Sequence, residues 1–412
     1  MNYPVWELST YGGGFLIALI ATIHVYIAHF AVGGGLFLVL TEMKARREGN
    51  GPMLEYVQTH TRFFLLVTMV LGALTGVGIW SVISVLNPAA TSVLIHTFVF
   101  GWATEWVFFI VEILSLLVYT YTFRSMDPQK HIHVGWIYFI AAWLSLFLID
   151  GIISFMLTPG RWLENGNFWS AFFNPSFPPS LIFRTAFALV LAGVYGLITS
   201  TRIKDEALSK EMTRYCVMWL IVPFALLIPS AFWYLYAISA QAREMILGGS
   251  PETVYFAKYL LGISPLVILG GLLMILRLSR PLQRALTFLV LLIAFLYMGA
   301  FEMVRESARR PYIIYGHMYS NGILKTSLPR VREQGVLAAA RWVMHREAKA
   351  SNRAEAGREL FRVLCISCHS VGGPRNDILV RARDMDRDDI QAVMSEMGDE
   401  KAFMPPFAGT EG

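Results

Sequence analysis

Residues 13–40 read GGFLIALIATIHVYIAHFAVGGGLFLVL, a run without a charged side chain in which His24 and His29 are the only basic groups. As a helix rising 1.5 Å per residue it is about 42 Å long, more than the roughly 30 Å of a bilayer's hydrocarbon core. It is too long for a cleaved signal peptide and lacks the basic start and small-residue cleavage site, so it is expected to stay as a membrane span. Seven further apolar stretches follow, at residues 63–86, 93–123, 136–158, 181–200, 216–239, 256–276 and 285–304. Over 412 residues, 55% are hydrophobic and only 15% charged, which excludes an ordinary soluble domain. The expected fold class is all-α, a polytopic bundle of eight membrane helices followed by a small α-helical unit.

Lys and Arg orient the bundle, because they concentrate in cytoplasmic loops. Segments after odd-numbered spans hold thirteen of them, from Lys44 through Arg277 to Arg284. The opposite loops hold Arg161 and Arg243, or four with Arg184 and Lys258 at the span ends. The N-terminus is therefore expected outside, and eight spans return the C-terminus to that side. This asymmetry absorbs the net charge of +5, so no nucleic-acid partner is expected.

After Val304 the chain turns polar. Residues 305–349 are basic, and 331–349 has a helical pattern too charged to span, expected as a surface helix. Then comes Cys365-Ile-Ser-Cys368-His369. Two thiols three residues apart, followed at once by histidine, make a covalent c-type haem site: Cys365 and Cys368 bond the vinyl groups and His369 ligates the iron. A zinc site would need a second ligand pair, and no Cys or His follows His369. Residues 354–361 read as a helix before the motif, and Met404-Pro405-Pro406-Phe407 lies 35 residues beyond His369. This is similar to single-haem class I cytochromes c, whose second axial ligand is such a methionine. Met404 is the candidate; Met394 and Met397 are weaker ones. A His/Met pair saturates the iron, which then transfers electrons. Such haems are attached on the outer side of energy-transducing membranes, in agreement with the charge bias. The expected domains are 1–305, the membrane bundle; 306–353, an outer-face linker; and 354–412, the cytochrome c unit, whose customary last helix would follow Gly412. Cys216, alone in an apolar run, is expected to be a packed core thiol.

Ionisable groups at lipid depth are costly and mark function. The first span carries His24 and His29, the third His96, Glu105 and Glu112, the fourth Asp150, and the eighth ends in Glu302-Met303-Val304-Arg305-Glu306. With alternating span directions, His24, Glu105, Asp150 and Glu302 fall between the middle and the outer face and can converge. Glu105 and Glu112, two turns apart, share a helix face and suit a proton relay or a relay plus a ligand. His29 lies about 140° around the helix from His24, so one haem face cannot easily use both. Either histidine alone is commonly just hydrogen-bonded to a neighbour. Gly33-Gly34-Gly35 permits close approach of a helix or a macrocycle, helix packing being the commoner use.

These residues look like subunit I of the cytochrome bd quinol oxidases. His24, with Glu42 eighteen residues on, is similar to the family's first helix, whose histidine binds a high-spin haem. Glu105-Trp-Val-Phe-Phe-Ile-Val-Glu112 resembles the family's pair of membrane glutamates, one at the haem and one on the proton path, at a spacing of seven where the family has eight. Glu306-Ser-Ala-Arg309-Arg310-Pro311-Tyr312 resembles the signature Glu-x-Gly-Arg-Gln-Pro-Trp, whose glutamate ligates a haem and whose arginine supports the site. The resemblance thus implies His24, Glu306 and Glu105 as candidate ligands, and Glu105, Glu112 and Arg309 as catalytic candidates. It implies one or two non-covalent membrane haems of b or d type beside the single haem c. Departures are equally specific. The family's low-spin haem takes a histidine near the start of the fifth span, where this chain has Arg184, which cannot ligate iron and is expected to snorkel outward or pair with a propionate. Its methionine partner is also missing, with Tyr259-Leu260-Leu261 in that region. The quinol-binding loop is reduced to about residues 241–255, and the ninth span is gone.

A changed electron donor follows: c-type cytochromes in place of quinol. The favoured reading is a bd-like terminal reductase acting on O2 (or another small oxidant such as NO), with protons supplied through Glu105, Glu112 and Asp150. The alternative is an electron-transfer and anchor subunit of a larger respiratory complex, to which the altered signature (Ala308, Arg310, Tyr312) points; a quinol oxidase proper is disfavoured by the shortened loop. Expected partners are a membrane subunit similar to bd subunit II, or other respiratory subunits. The expected location is the bacterial inner membrane, with the cytochrome c unit on the periplasmic side.

Overall fold

Capping residues and apolar length together set the helices. The computed structural model describes residues 5–11, 13–276, 278–373, 376–399 and 401–409, so Arg277 and the end of the chain up to Gly412 lie outside the described residues. Among these, eight helices are long and apolar enough to cross a membrane: Gly14–Arg47, Gly51–Leu86, Val99–Tyr121, Pro128–Phe155, Phe177–Ser200, Glu206–Ala237, Pro251–Leu273 and Arg280–Ala308. Several begin well before their apolar stretch, because helical hydrogen bonding continues into the polar layer once an N-cap starts it. Asp127 accepts from the N–H groups of Gln129 and Lys130, with Pro128 opening the helix, and Asp205 accepts from Leu208.

The third apolar stretch is not one helix. It breaks at Phe98 (φ −119°, ψ 29°) into Pro88–Thr97 and Val99–Tyr121. Phe98 is wholly buried, edge-on to Phe155 and Phe168, and that packing outweighs helix continuity. His96 therefore leaves the span: it is exposed, with Nδ1 2.7 Å from the Ser92 carbonyl.

The fifth span is the axis of the bundle, 78% of its apolar stretch being buried. Glycines set its approach to neighbours. A Cβ at Gly33 would sit 1.8 Å from the Ala188 carbonyl oxygen, and one at Gly193 would sit 2.6 Å from that of Cys216. Gly34 and Gly35 likewise face Phe64 and Tyr138, so the glycine triplet serves helix packing. Cys216 is fully buried in this core.

Beyond the eighth span, a two-stranded hairpin pairs Tyr312–Ile314 with Met318–Tyr319. The expected surface helix over 331–349 does not form. Leu328–Gln334 and Val336–Ala339 are separated by Gly335 at φ +83°, a conformation that ends a helix, and residues 340–349 are almost entirely irregular. In that stretch the Met344 and His345 N–H groups donate to the Glu359 carboxylate at 2.7 and 3.0 Å instead of to helical carbonyls. Helix Arg353–Leu364 follows and stops at Cys365. Its Leu364 packs with Val331, Val336 and Ala408 in a small core of its own. The Val371 N–H donates to the Ser9 carbonyl at 2.8 Å, so the two ends of the chain meet on one side of the bundle, as an even number of spans requires.

Candidate functional site

A cavity of about 1090 Å³ opens beside the first span and runs toward the C-terminal unit. His24, Glu105, Glu112, Glu306 and Arg309 line it, and Cys368 lines its far end. His24 is set by the second span, where a wide turn at Leu66–Gly72 interrupts the α-helix just before Thr75. The Thr75 hydroxyl donates to the Leu71 carbonyl (2.7 Å) and so accepts from His24 Nδ1 at 3.2 Å. Nε2 is left as the free lone pair. Gly76 keeps space open beside the ring, since a Cβ there would lie 3.2 Å from His24 Cε1.

Glu105 and Glu112 fall on one face of the third span and both turn to Ser145 of the fourth, whose hydroxyl donates to Glu105 at 3.0 Å. Continuing the seven-residue step reaches Tyr119, whose hydroxyl donates to Glu42 at 2.6 Å. Glu42 also faces His131 Nδ1 at 2.9 Å and accepts from Arg46 at 2.7 Å. His131 Nε2 must donate to the Tyr119 carbonyl (2.8 Å), so a proton is shared between His131 and Glu42. Tyr119 and His131 were not foreseen from the sequence; the repeated spacing of seven was the available signal for the tyrosine.

Arg184 is only 1% exposed and does not snorkel. Its guanidinium lies between Asp150 (2.9 Å) and Glu302 (2.7 Å), and Glu302 also accepts from Arg305 at 2.9 Å. Two carboxylates at the same depth, from the fourth and eighth spans, hold the charge inside. Asp150 and Glu302 thus converge, as expected, but Asp150 points at Arg184 and Ser180 (2.7 Å) rather than into the cavity. Glu306 pairs with Arg309 through Nη2, and Arg309 Nε and Nη1 have no hydrogen-bond partner among the described residues. Arg310 pairs with Glu252 at 2.7 Å, and Tyr312 stacks on Tyr319.

In the C-terminal unit a tight turn groups the motif: the Cys368 and His369 N–H groups both donate to the Cys365 carbonyl, at 3.0 and 2.9 Å. His369 Nδ1 lies 3.1 Å from the Asn376 carbonyl, which leaves Nε2 as the free nitrogen. Burial holds the His369 imidazole below its ordinary pKa and pushes the Cys365 thiol up to about 11. Cys368 Sγ is 3.6 Å from Ser320 of the segment after the hairpin. Met404 lies in the loop that follows, its N–H donating to Lys401 at 2.8 Å. The neighbouring Phe407 packs near Leu364 and accepts from Arg332.

No three His, Cys, Asp or Glu side chains group to hold a bare ion among the described residues. Single free nitrogens and carboxylates on a large cavity fit a metal whose equatorial positions a macrocycle already fills, leaving one or two axial places.

The family model for cytochrome bd terminal oxidase subunit I matches residues 15–243, more than half of the chain. No curated protein sequence matches. Among solved structures, the bd oxidase from Geobacillus thermodenitrificans is similar at a TM-score of 0.59 and 17% identity, covering 75% of this chain and 90% of that one.

Proposed function

Because the chain belongs to the cytochrome bd oxidase subunit I family, a family of haem-binding respiratory membrane proteins, we propose that it is the catalytic subunit of a terminal reductase fed by c-type cytochromes. The observation that carries this reading is a cavity lined both by His24, Glu306 and Arg309 in the bundle and by Cys368 in the C-terminal unit. His24 and Glu306, with Glu105 as a further candidate, hold one or two non-covalent haems of b or d type. Cys365, Cys368, His369 and Met404 hold one haem c in a domain covering 354–412, joined to the bundle (1–305) by 306–353. When bound, the haems supply electron transfer and reduction of O2.

The chain's own residues do the rest. Glu42 and His131 hold a shared proton in the first and fourth spans, and Tyr119, Glu112 and Glu105 continue from them along one face of the third. Ser145, which donates to Glu105, stands beside the two glutamates and is the polar group through which a proton would pass between them. Arg309 orients Glu306 and keeps unpaired donors toward the cavity. Asp150 is tied to Arg184 and stands outside this path.

Arg184 in its ion cluster and the short connection between the sixth and seventh spans, residues 238–250, support cytochrome c over quinol as donor. The membrane partner is a subunit similar to bd subunit II. The complex sits in the bacterial inner membrane with the cytochrome c domain in the periplasm. A second reading, an electron-transfer subunit without oxygen chemistry, is favoured by Arg310 and Tyr312, which this chain uses for an ion pair and a ring stack. Oxygen uptake by the purified complex with reduced cytochrome c, beside a CO-difference spectrum, separates the two. Uptake with a CO-reactive haem is expected; absence of any CO-reactive haem selects the second reading, and uptake with quinol alone rejects both.

A further inference from the structure

We propose that His29 is an iron ligand: its Nε2, with the free guanidinium donors of Arg305 and Arg309, forms a second haem site in the same cavity as His24. The inference rests on the reading of the bundle as a haem scaffold. His29 is 3% exposed and lines the cavity. Its Nδ1 lies 2.7 Å from the Val25 carbonyl, an acceptor only, so the ring proton sits on Nδ1. Nε2 is then a bare lone pair, and it has no partner among the described residues. Buried polar atoms are nearly always satisfied, and an imidazole with one nitrogen on a backbone carbonyl and the other free is the arrangement of a metal-bound histidine.

The cavity also supplies the counterpart for an acidic macrocycle. Arg305 Nη1 and Arg309 Nε and Nη1 are buried without hydrogen-bond partners among the described residues, and both side chains line it. Guanidinium forks match carboxylates, and a haem carries two propionates. Phe187 stands edge-on to His29 at 6.0 Å, three residues along the fifth span from Arg184. His29 therefore faces the part of the bundle where Arg184, Glu302 and Arg305 are ion-paired. Five residues of helix separate it from His24 by about 140° and about 7.5 Å of rise, which suits two irons and not one. His60 provides the contrast: its Nε2 is equally unpartnered, but it packs among Phe37, Tyr56 and Phe63 away from the cavity.

The test uses the complex purified from cells carrying His29→Gly or His29→Met, with extractable haem measured per covalent haem c and per protein mass. For His29→Gly, extractable haem should fall about twofold, one of two haems being lost. Millimolar imidazole during haem reconstitution should restore it by occupying the vacated ligand position. His29→Met, which retains volume and a ligating atom, should keep the haem but shift its reduction potential and its low-temperature EPR signal. Parent-level extractable haem in His29→Gly, or a His29→Met spectrum identical to the parent, overturns the proposal. Absence of covalent haem from the parent would instead overturn the cytochrome c reading, and haem per protein mass would still decide for or against His29.

Discussion

Arg184→Met removes the cation that two buried carboxylates share. Glu302 keeps Arg305 at 2.9 Å, whereas Asp150 is left with the Ser180 hydroxyl at 2.7 Å and an Oδ2 that has no partner among the described residues. Breaking a buried ion pair from one side costs about 3–5 kcal/mol, and because one carboxylate stays paired the cost belongs at the lower end, about 3 kcal/mol. At the 2–4 °C per kcal/mol typical of large domains, Tm should fall by roughly 6–12 °C. The assay is thermal unfolding of the detergent-purified protein followed by tryptophan fluorescence. Asp150→Asn combined with Arg184→Met removes the orphaned charge and should recover most of the loss. Glu302→Gln combined with Arg184→Met leaves Asp150 unpaired and frees Arg305, so it should recover nothing. Equal behaviour of the two double variants, or a single variant within about 1 °C of the parent, would refute the view that Arg184 is held by charge balance.

Cys365→Ala should abolish covalent haem staining while the extractable membrane haem persists; loss of both would show that the bundle and the C-terminal unit are not separate modules. Glu112→Gln should lower oxygen uptake at least about tenfold with haem content unchanged, since a general-acid group of this kind contributes that much or more. Gly33→Ala should sharply reduce the yield of folded protein, because its Cβ meets the Ala188 carbonyl at 1.8 Å, whereas Gly262→Ala meets nothing within 4 Å and should be tolerated. Glu359 is held below the usual carboxylate value by the N–H groups of Met344 and His345. Its stabilisation is therefore complete above about pH 4.3 and lost as pH falls through the lower folded value. Protease cleavage within residues 340–349 should rise on acidification below about pH 4 in the parent and show no such rise in Glu359→Gln.

The eight spans were legible because hydropathy measures what lipid selects. What hydropathy does not carry is helix rotation about its own axis. Arg184 beside a polar–apolar boundary reads as a snorkelling residue, and only the rotation of the fourth and eighth spans brings Asp150 and Glu302 to it. The break at Phe98 was hidden for a similar reason: an apolar run looks alike whether it is one helix or two, and a buried aromatic contact made the difference. Residues 331–349 do have helical periodicity, yet a positive-φ glycine and the Glu359 carboxylate draw the backbone elsewhere. The spacing of seven between Glu105 and Glu112 was visible, and the same step to Tyr119 passed unnoticed because an uncharged side chain at a helix end raises no electrostatic question. His24 and His29 both stand out in the sequence as ionisable groups among apolar residues; the free Nε2 of His29 does not, since it depends on the Val25 carbonyl and on a cavity.

Arg184 and Cys368 both line the cavity and bear on the same question. A neutral histidine in place of Arg184 would leave Asp150 and Glu302 with one cation, Arg305, between them, so a ligand at this position would require the loss of a carboxylate as well. That couples three residues on three different spans, and a coupled set is hard to change one step at a time. On the proposed reading, Arg184 offers no iron ligand on the fifth span, and electrons for the haem held by His24 and Glu306 enter by another face. The cavity's lining runs through Arg310 to Cys368, and the Cys368 thiol is already within 3.6 Å of Ser320. On the proposed reading, then, the C-terminal unit lies where the cavity lining continues from the bundle through Arg310 to the haem motif, on a side that the ion cluster does not occupy.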